Sequence, residues 1–276
     1  MPFFTTKNQT KVHYAEDGNP TGQIIICLHG LGGSIETFSS LLPFLEGNYR
    51  VVRLDFEGLG KSPLTQQNKA LSIARYVSDL GDLISHIQKD GRSMSPVVLV
   101  GHSLGSIVAL HFAASEPNVV GGLILLGVVR SASHVQAVRE RMLDMASKTR
   151  EQGINFAADL AATTNFPSDS ERQVNPTARD FIRRQVAGSD PEGYAKTCEA
   201  VADVGHKDPD YSRIVCKSLL IAGDKDMISP VSRAGGLKPL LGGESQLAIV
   251  KSGHQLILED LKGVADAMIP FLASLP

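Results

Sequence analysis

Short unbroken apolar runs alternate along this chain with longer stretches whose apolar residues recur at helical spacing. The runs lie at residues 24–28, 51–54, 97–100, 123–126, 218–221 and 246–250. Their apolar character is continuous rather than alternating, which predicts strands covered on both faces, as in a parallel sheet between helices. Between them, residues 71–88 place Leu71, Val77, Leu80, Leu83, Ile84 and Ile87 on one helical face. Residues 104–115 predict a helix rich in small side chains, closed by Glu116-Pro117, and residues 259–275 predict the last helix. Strand and helix in strict alternation predict a doubly wound α/β fold. His13, Tyr14 and their neighbours are placed to supply an antiparallel first strand.

The rhythm breaks between residues 130 and 210, where no strand pattern occurs. Arg139, Glu140, Arg141, Met142, Leu143 and Met145 share one helical pattern. Residues 179–186 form another, with Asn175-Pro176 as its start, and Asp190-Pro191-Glu192 opens a third. This stretch is expected to be a helical insertion over the edge of the sheet. The predicted organisation is a core of residues 1–129 and 211–276 with a cap at 130–210.

The chemistry concentrates at the ends of the predicted strands. Gly101-His102-Ser103-Leu104-Gly105 is a G-x-S-x-G sequence between a buried strand and a small-residue helix. A serine at such a turn is held in a strained backbone conformation with its hydroxyl pointing outward. Gly101 and Gly105 fit the crowding there, and the helix N-terminus behind Ser103 favours negative charge developing in front of it. A serine hydroxyl needs a base to act as a nucleophile at neutral pH. Of eight histidines, His254 follows a strand and precedes the last helix, at the end of the sheet where α/β folds place functional groups. His102 is expected to be turned elsewhere by the bend, and His13, His86, His111, His134 and His206 read as core or surface residues. Orientation of the base requires a carboxylate. Asp226 in Gly223-Asp224-Lys225-Asp226 is the choice, with Asp224 as a competitor that could instead hold the turn. Leu28-His29-Gly30-Leu31-Gly32-Gly33 offers a glycine-rich loop whose N–H groups could face an oxyanion, with Leu104 N–H as the second donor.

Bulk properties narrow the function without adding to it. The 276 residues suffice for one large α/β domain with an insertion. Lys plus Arg total 27 against 29 Asp plus Glu, so no basic excess points to nucleic acid. Cys27, Cys198 and Cys216 are too few and too scattered for a disulfide framework or a zinc site. The start of the chain lacks the pattern of a signal peptide, and the apolar runs are too short to cross a bilayer. A cytoplasmic protein with no membrane or nucleic-acid partner is expected.

The ordered set of motifs resembles the α/β-hydrolase superfamily almost from end to end. The matching pieces are His29-Gly30 with Leu31; Asp55-Phe56-Glu57-Gly58-Leu59-Gly60-Lys61-Ser62-Pro63; Gly101 to Gly105; Gly223 to Asp226 with Pro230; and Gly253-His254 followed by Glu259. The order Ser, Asp, His is that of the superfamily. The resemblance implies a mostly parallel eight-stranded sheet flanked by helices, with a helical cap after the sixth strand. It implies Ser103, Asp226 and His254 as a triad, Leu31 and Leu104 N–H as the oxyanion hole, and His29, Gly30, Gly101 and Gly105 as supporting residues. Within the superfamily the chain looks most like the small-molecule enol-lactonases, carboxylesterases and carbon–carbon-bond hydrolases. Ser103 argues against dehalogenases and epoxide hydrolases of this fold, which use an Asp nucleophile. Ser106 stands where the superfamily usually has Gly. The implied activity is hydrolysis of a small ester or lactone with no metal or cofactor. The alternatives are cleavage of a carbon–carbon bond by the same triad, or a receptor that binds without turnover. Phe38 and Met227, both apolar and near the loops, are expected to line a pocket for a small, largely uncharged or amphipathic substrate.

Overall fold

The computed structural model describes every residue except Met1, Gln67, Met94 and His134, so the expectation for His134 lies outside the described residues. Eight strands form one sheet: β1 (Phe3–Thr5), β2 (Lys11–Gly18), β3 (Gln23–Leu28), β4 (Tyr49–Leu54), β5 (Val97–His102), β6 (Val120–Leu126), β7 (Lys217–Gly223) and β8 (Ser245–Val250). Their order is β1-β2-β4-β3-β5-β6-β7-β8. β1 and β2 are antiparallel to their neighbours, and every pairing from β4 to β8 is parallel. The fold is the expected α/β-hydrolase architecture.

The strands between β4 and β7 are buried on both faces, and their alternation builds two cores. Ile24, Ile26, Leu28, Leu99, Leu123 and Leu125 face one layer. Ile25, Cys27, Val98, Val100, Ile124 and Leu126 face the other. A continuous apolar run therefore serves two packing surfaces at once, which is why it read as a strand without showing a period of two.

Among the described residues the α-helices are α1 (Leu42–Leu45), α2 (Ile73–Gln88), α3 (Leu104–Ser115), α4 (Gln136–Gln152), α5 (Ile154–Thr164), α6 (Pro176–Ala187), α7 (Pro191–Ala202), α8 (Val231–Leu237), α9 (Leu256–Glu259) and α10 (Leu261–Ala273). α2 begins at Ser72, whose side chain accepts from Arg75 N; of the expected face it buries Leu80, Leu83, Ile84 and Ile87, leaves Val77 half-buried, and adds Ile73 and Tyr76. α3 is buried almost all round, as the strand-adjacent helix carrying the nucleophile turn must be. The expected last helix starts at Leu261, and the short α9 ends just before it. Asp260 separates the two and caps α10 by accepting from Gly263 N.

Among the described residues between β6 and β7 lie four helices and no strand. α6 and α7 start where the sequence indicates, with Pro at the first turn and Asn175 or Asp190 accepting from the backbone. α5 carried no clear sequence signal. Its buried residues are four alanines, Ala157, Ala158, Ala161 and Ala162, which give a narrow apolar stripe. Among the described residues no helix is long and apolar enough to cross a membrane.

Candidate active site

The carboxyl ends of β3, β5, β7 and β8 bring the sequence-predicted residues together. Ser103 has φ 50° and ψ −117° at the turn from β5 into α3. A non-glycine residue in that region stores strain, of about 1–3 kcal/mol, that the surroundings must hold. They do so through backbone contacts. Ser103 N donates to Leu126 O at 3.0 Å. A Cβ on Gly105 would stand 2.0 Å from Leu28 O, and one on Gly101 would stand 2.6 Å from Gly105 O. Both glycines are thus required by close approach of main chain, as the sequence suggested.

Ser106, in place of the usual glycine, has its own task. Its buried hydroxyl donates to Ser103 O at 2.5 Å and accepts from Val129 N at 3.0 Å. It ties the strained turn to the loop after β6.

His254 Nε2 lies 2.9 Å from Ser103 Oγ, and His254 Nδ1 lies 2.8 Å from Asp226 Oδ2. A carboxylate only accepts, so Nδ1–H donates to Asp226 and Nε2 is left to accept the serine proton. Asp226 Oδ1 accepts from Ile228 N and Ser229 N, both at 2.8 Å. Burial raises the Asp226 pKa, but the neighbouring His254 and the hydrogen bonds from His254, Ser229 and Ile228 outweigh it and hold the carboxyl below its ordinary value. Gly127, with φ 53°, passes so close that a Cβ there would sit 3.2 Å from the His254 ring.

The competitor Asp224 is used differently. It pairs with both Arg172 guanidinium nitrogens, at 2.8 and 2.6 Å, and accepts from Ser252 N at 3.0 Å. It thereby holds the loop that carries His254, a tie across two loops where the sequence suggested a bond within its own turn. Glu259 adds to this by accepting from Gly253 N at 2.9 Å and Gln255 N at 3.3 Å.

His29 is fully buried. Its Nδ1 meets Gly30 O at 2.7 Å and its Nε2 accepts from Phe56 N at 3.1 Å. The carbonyl can only accept, so Nδ1 carries the proton and the ring braces the glycine loop. Burial lowers its pKa, which keeps the ring neutral. Gly30 approaches the nucleophile so closely that a Cβ would stand 3.2 Å from Ser103 Cβ. Leu104 is the first residue of α3, where an N–H has no acceptor in its own helix. Among the described residues Leu31 N–H has no backbone acceptor either. Both residues border the cavity in front of Ser103.

That cavity has a volume of about 260 Å³. Its walls come from the glycine loop, α3, the helices α4, α5 and α7, and the loop after β7. Met227 lies on it, 81% exposed at the rim. Phe38 does not. It is 1% exposed within the core layer that also contains Leu41, Leu256 and Met268. The 3-10 turn Ile35–Leu41 points it at the sheet, so its expected place in the pocket is corrected to core packing.

Two contacts that bear on the site were not visible in the sequence. His102 Nε2 donates to His254 O at 2.8 Å, although its neighbour Ser103 makes the turn that was expected to send it away. Burial, and then His254 beside it, lower the His102 pKa to about 3, so this ring too is neutral. Asn165, at the end of α5, accepts from His254 N through its carbonyl oxygen at 2.8 Å. The main chain of the base is thus held on both sides, by the His102 ring and the Asn165 carbonyl.

The cysteines are free, and burial pushes the Cys27 thiol up to about 12. Among the described residues no group of three or more His, Cys, Asp or Glu is arranged to hold a metal ion.

Residues 25–267 match a family described as the alpha/beta hydrolase family. The chain is similar to 2-hydroxy-6-oxo-6-(2'-aminophenyl)hexa-2,4-dienoic acid hydrolase of Metapseudomonas resinovorans, 26% identical over 98% of this chain and 90% of that protein. It is also 26% identical to 3-oxoadipate enol-lactonase 2 of Acinetobacter baylyi, over 84% of both chains. Among solved structures, the enol-lactonase from Burkholderia xenovorans LB400 superposes with a TM-score of 0.83 at 22% identity, covering 99% of this chain and all of that one. With the family match spanning most of its length, the chain belongs to the alpha/beta hydrolase family.

Proposed function

We propose that this protein is a serine hydrolase that cleaves an ester or lactone of a small organic molecule through an acyl-enzyme. The observation that carries the reading is the unbroken line from Asp226 through His254 to Ser103, with both contacts under 3 Å. The names of its relatives, an enol-lactonase among them, support the same class.

In this reading the substrate enters the cavity with its carbonyl carbon in front of Ser103. His254 Nε2 removes the hydroxyl proton as Oγ forms its bond to the carbonyl carbon. The oxygen that becomes negative is met by Leu31 and Leu104 N–H, aided by the N-terminus of α3. Asp226, already ionised, stabilises the imidazolium and keeps its orientation. The imidazolium then donates its proton to the leaving oxygen as the carbon–oxygen bond breaks. Water repeats the sequence on the acyl-enzyme, transferring a proton through His254 and restoring Ser103. The helices of residues 130–210 act as a cap that closes the cavity over the acyl group, on a core of residues 1–129 and 211–276.

A second reading, carbon–carbon-bond cleavage by the same three groups, is favoured by the relative that hydrolyses a 2-hydroxy-6-oxo dienoic acid. A receptor without turnover is disfavoured by the alignment of base and nucleophile. The test is a panel of 4-nitrophenyl esters and small lactones run beside a vinylogous diketone. Ester or lactone turnover that falls at least about 10³-fold in Ser103→Ala is expected. Turnover of the diketone alone would replace this reading with the second.

A further inference from the structure

The cavity in front of Ser103 is walled largely by apolar side chains, yet among the described residues Arg130, Arg141 and Arg233 border it and no aspartate or glutamate does. Arg130 is neutralised within the protein. Its Nη2 lies 2.9 Å from Asp208 Oδ2, and its Nε donates to Tyr211 Oη at 3.1 Å. Arg141 and Arg233 differ. Among the described residues neither side chain has a hydrogen bond or an ion pair.

Arg141 occupies a particular place on its helix. Val138, Arg141, Met142 and Met145 all border the cavity, and their spacing sets them on one face of α4. Burial deepens along that face, from exposed Arg141 to buried Met145. A guanidinium thus interrupts an otherwise apolar stripe where the cavity opens.

Tyr194 supplies an independent observation. It is 3% exposed, borders the same cavity, and its hydroxyl has no partner among the described residues. Its ring lies against the glycine loop, where a Cβ on Gly32 would stand 2.9 Å from Tyr194 Cε2. The ring is buried, but the hydroxyl oxygen is not sealed off from the cavity it borders, so a ligand there can reach it. Burial raises the Tyr194 pKa well above its usual value, although Arg141 is near enough to pull it down. The phenol is therefore a permanent hydrogen-bond donor, and it lies within the electrostatic reach of an unpaired guanidinium.

Resting on the hydrolase reading of this same cavity, we infer that the substrate carries a carboxylate, held by Arg141 and the Tyr194 hydroxyl, with Arg233 as a second cation bordering the cavity. A carboxylate accepts from both groups and supplies the charge that the lining lacks. Of the two substrates the sequence left open, largely uncharged or amphipathic, this selects the amphipathic one, apolar around the scissile bond and anionic at one end.

Two esters of equal acyl length test this: 4-nitrophenyl pentanoate, which is neutral, and mono-4-nitrophenyl glutarate, which carries a terminal carboxylate. The expected result is a higher kcat/KM for the glutarate ester. The ratio of the two should fall about ten- to a hundred-fold in Arg141→Met, the usual worth of a charged hydrogen bond, and Arg141→Lys should retain most of it. A wild-type enzyme that favours the neutral ester, or a ratio unmoved by Arg141→Met, would overturn the inference and leave the hydrolase reading standing. If neither ester turns over and a fluorophosphonate leaves Ser103 unlabelled, the hydrolase reading fails. Calorimetry with glutarate then decides the inference alone. Binding that weakens at least ten-fold in Arg141→Met supports it, and binding that is absent or unaffected overturns it.

Discussion

His102 Nε2 donates to the backbone carbonyl of His254 at 2.8 Å, so the residue beside the nucleophile fixes the main chain of the base. The two lie 152 positions apart in sequence. The strained turn at Ser103 thus sets the serine and one anchor of the histidine in a single stroke.

Replacing His102 by Phe should therefore act through His254. The lost bond leaves a buried carbonyl unpaired, at a cost of about 1–3 kcal/mol. Ester hydrolysis should lose about ten-fold in kcat with little change in KM, and the acid limb of the pH–rate profile should move. A rise in KM alone would mean that His102 acts on the substrate and not on the base.

The two aspartates of the loop after β7 should separate cleanly. Asp226→Asn keeps the shape and removes the charge facing His254, so kcat should fall by about 10⁴. Asp224→Asn weakens the pairing with Arg172, which is half exposed, and should leave kcat within a few-fold. Steady-state kinetics of the two variants under one set of conditions gives the comparison.

Ser106→Ala should destabilise the protein. The hydroxyl that accepts from Val129 N is gone, and a partly buried N–H is left without a partner, at about 1 kcal/mol. Urea unfolding monitored by circular dichroism should show a lower midpoint with an unchanged slope.

Acidification should weaken the fold before the carboxylates titrate. His111 Nε2 and His206 Nε2 meet at 2.9 Å. Burial, then the neighbouring His206, lowers the His111 pKa to about 4, and burial lowers that of His206. The folded state thus binds these protons more weakly than the unfolded chain does, where histidine titrates near about 6.5. Their contribution is present above that value and is lost as pH falls toward about 4 for His111. Thermal melts should show Tm falling between pH 7 and pH 5, and His111→Gln should flatten that slope.

Much of this site was legible in the sequence because it depends on local requirements. The Gly101 and Gly105 positions, the run of residues 97–100 and the loops ending at Asp226 and His254 each carry their reason within a few residues. The remainder depends on approach between distant segments. Nothing near Asn165 announces that its carbonyl will receive His254 N. Phe38 was equally compatible with pocket and core, and only the direction of the 3-10 turn decides for the core. Arg141 read only as part of a helical pattern. Its place on the cavity face of α4 became visible once the sheet and Tyr194 set the opposite walls.

The most direct test of the central claim is covalent labelling with a fluorophosphonate, followed by mass spectrometry of the peptides. The account predicts a single phosphonyl adduct on Ser103, formed quickly in the wild-type protein and absent in Ser103→Ala. Ester hydrolysis that persists in Ser103→Ala, or an adduct on another residue with Ser103 unmodified, would contradict it.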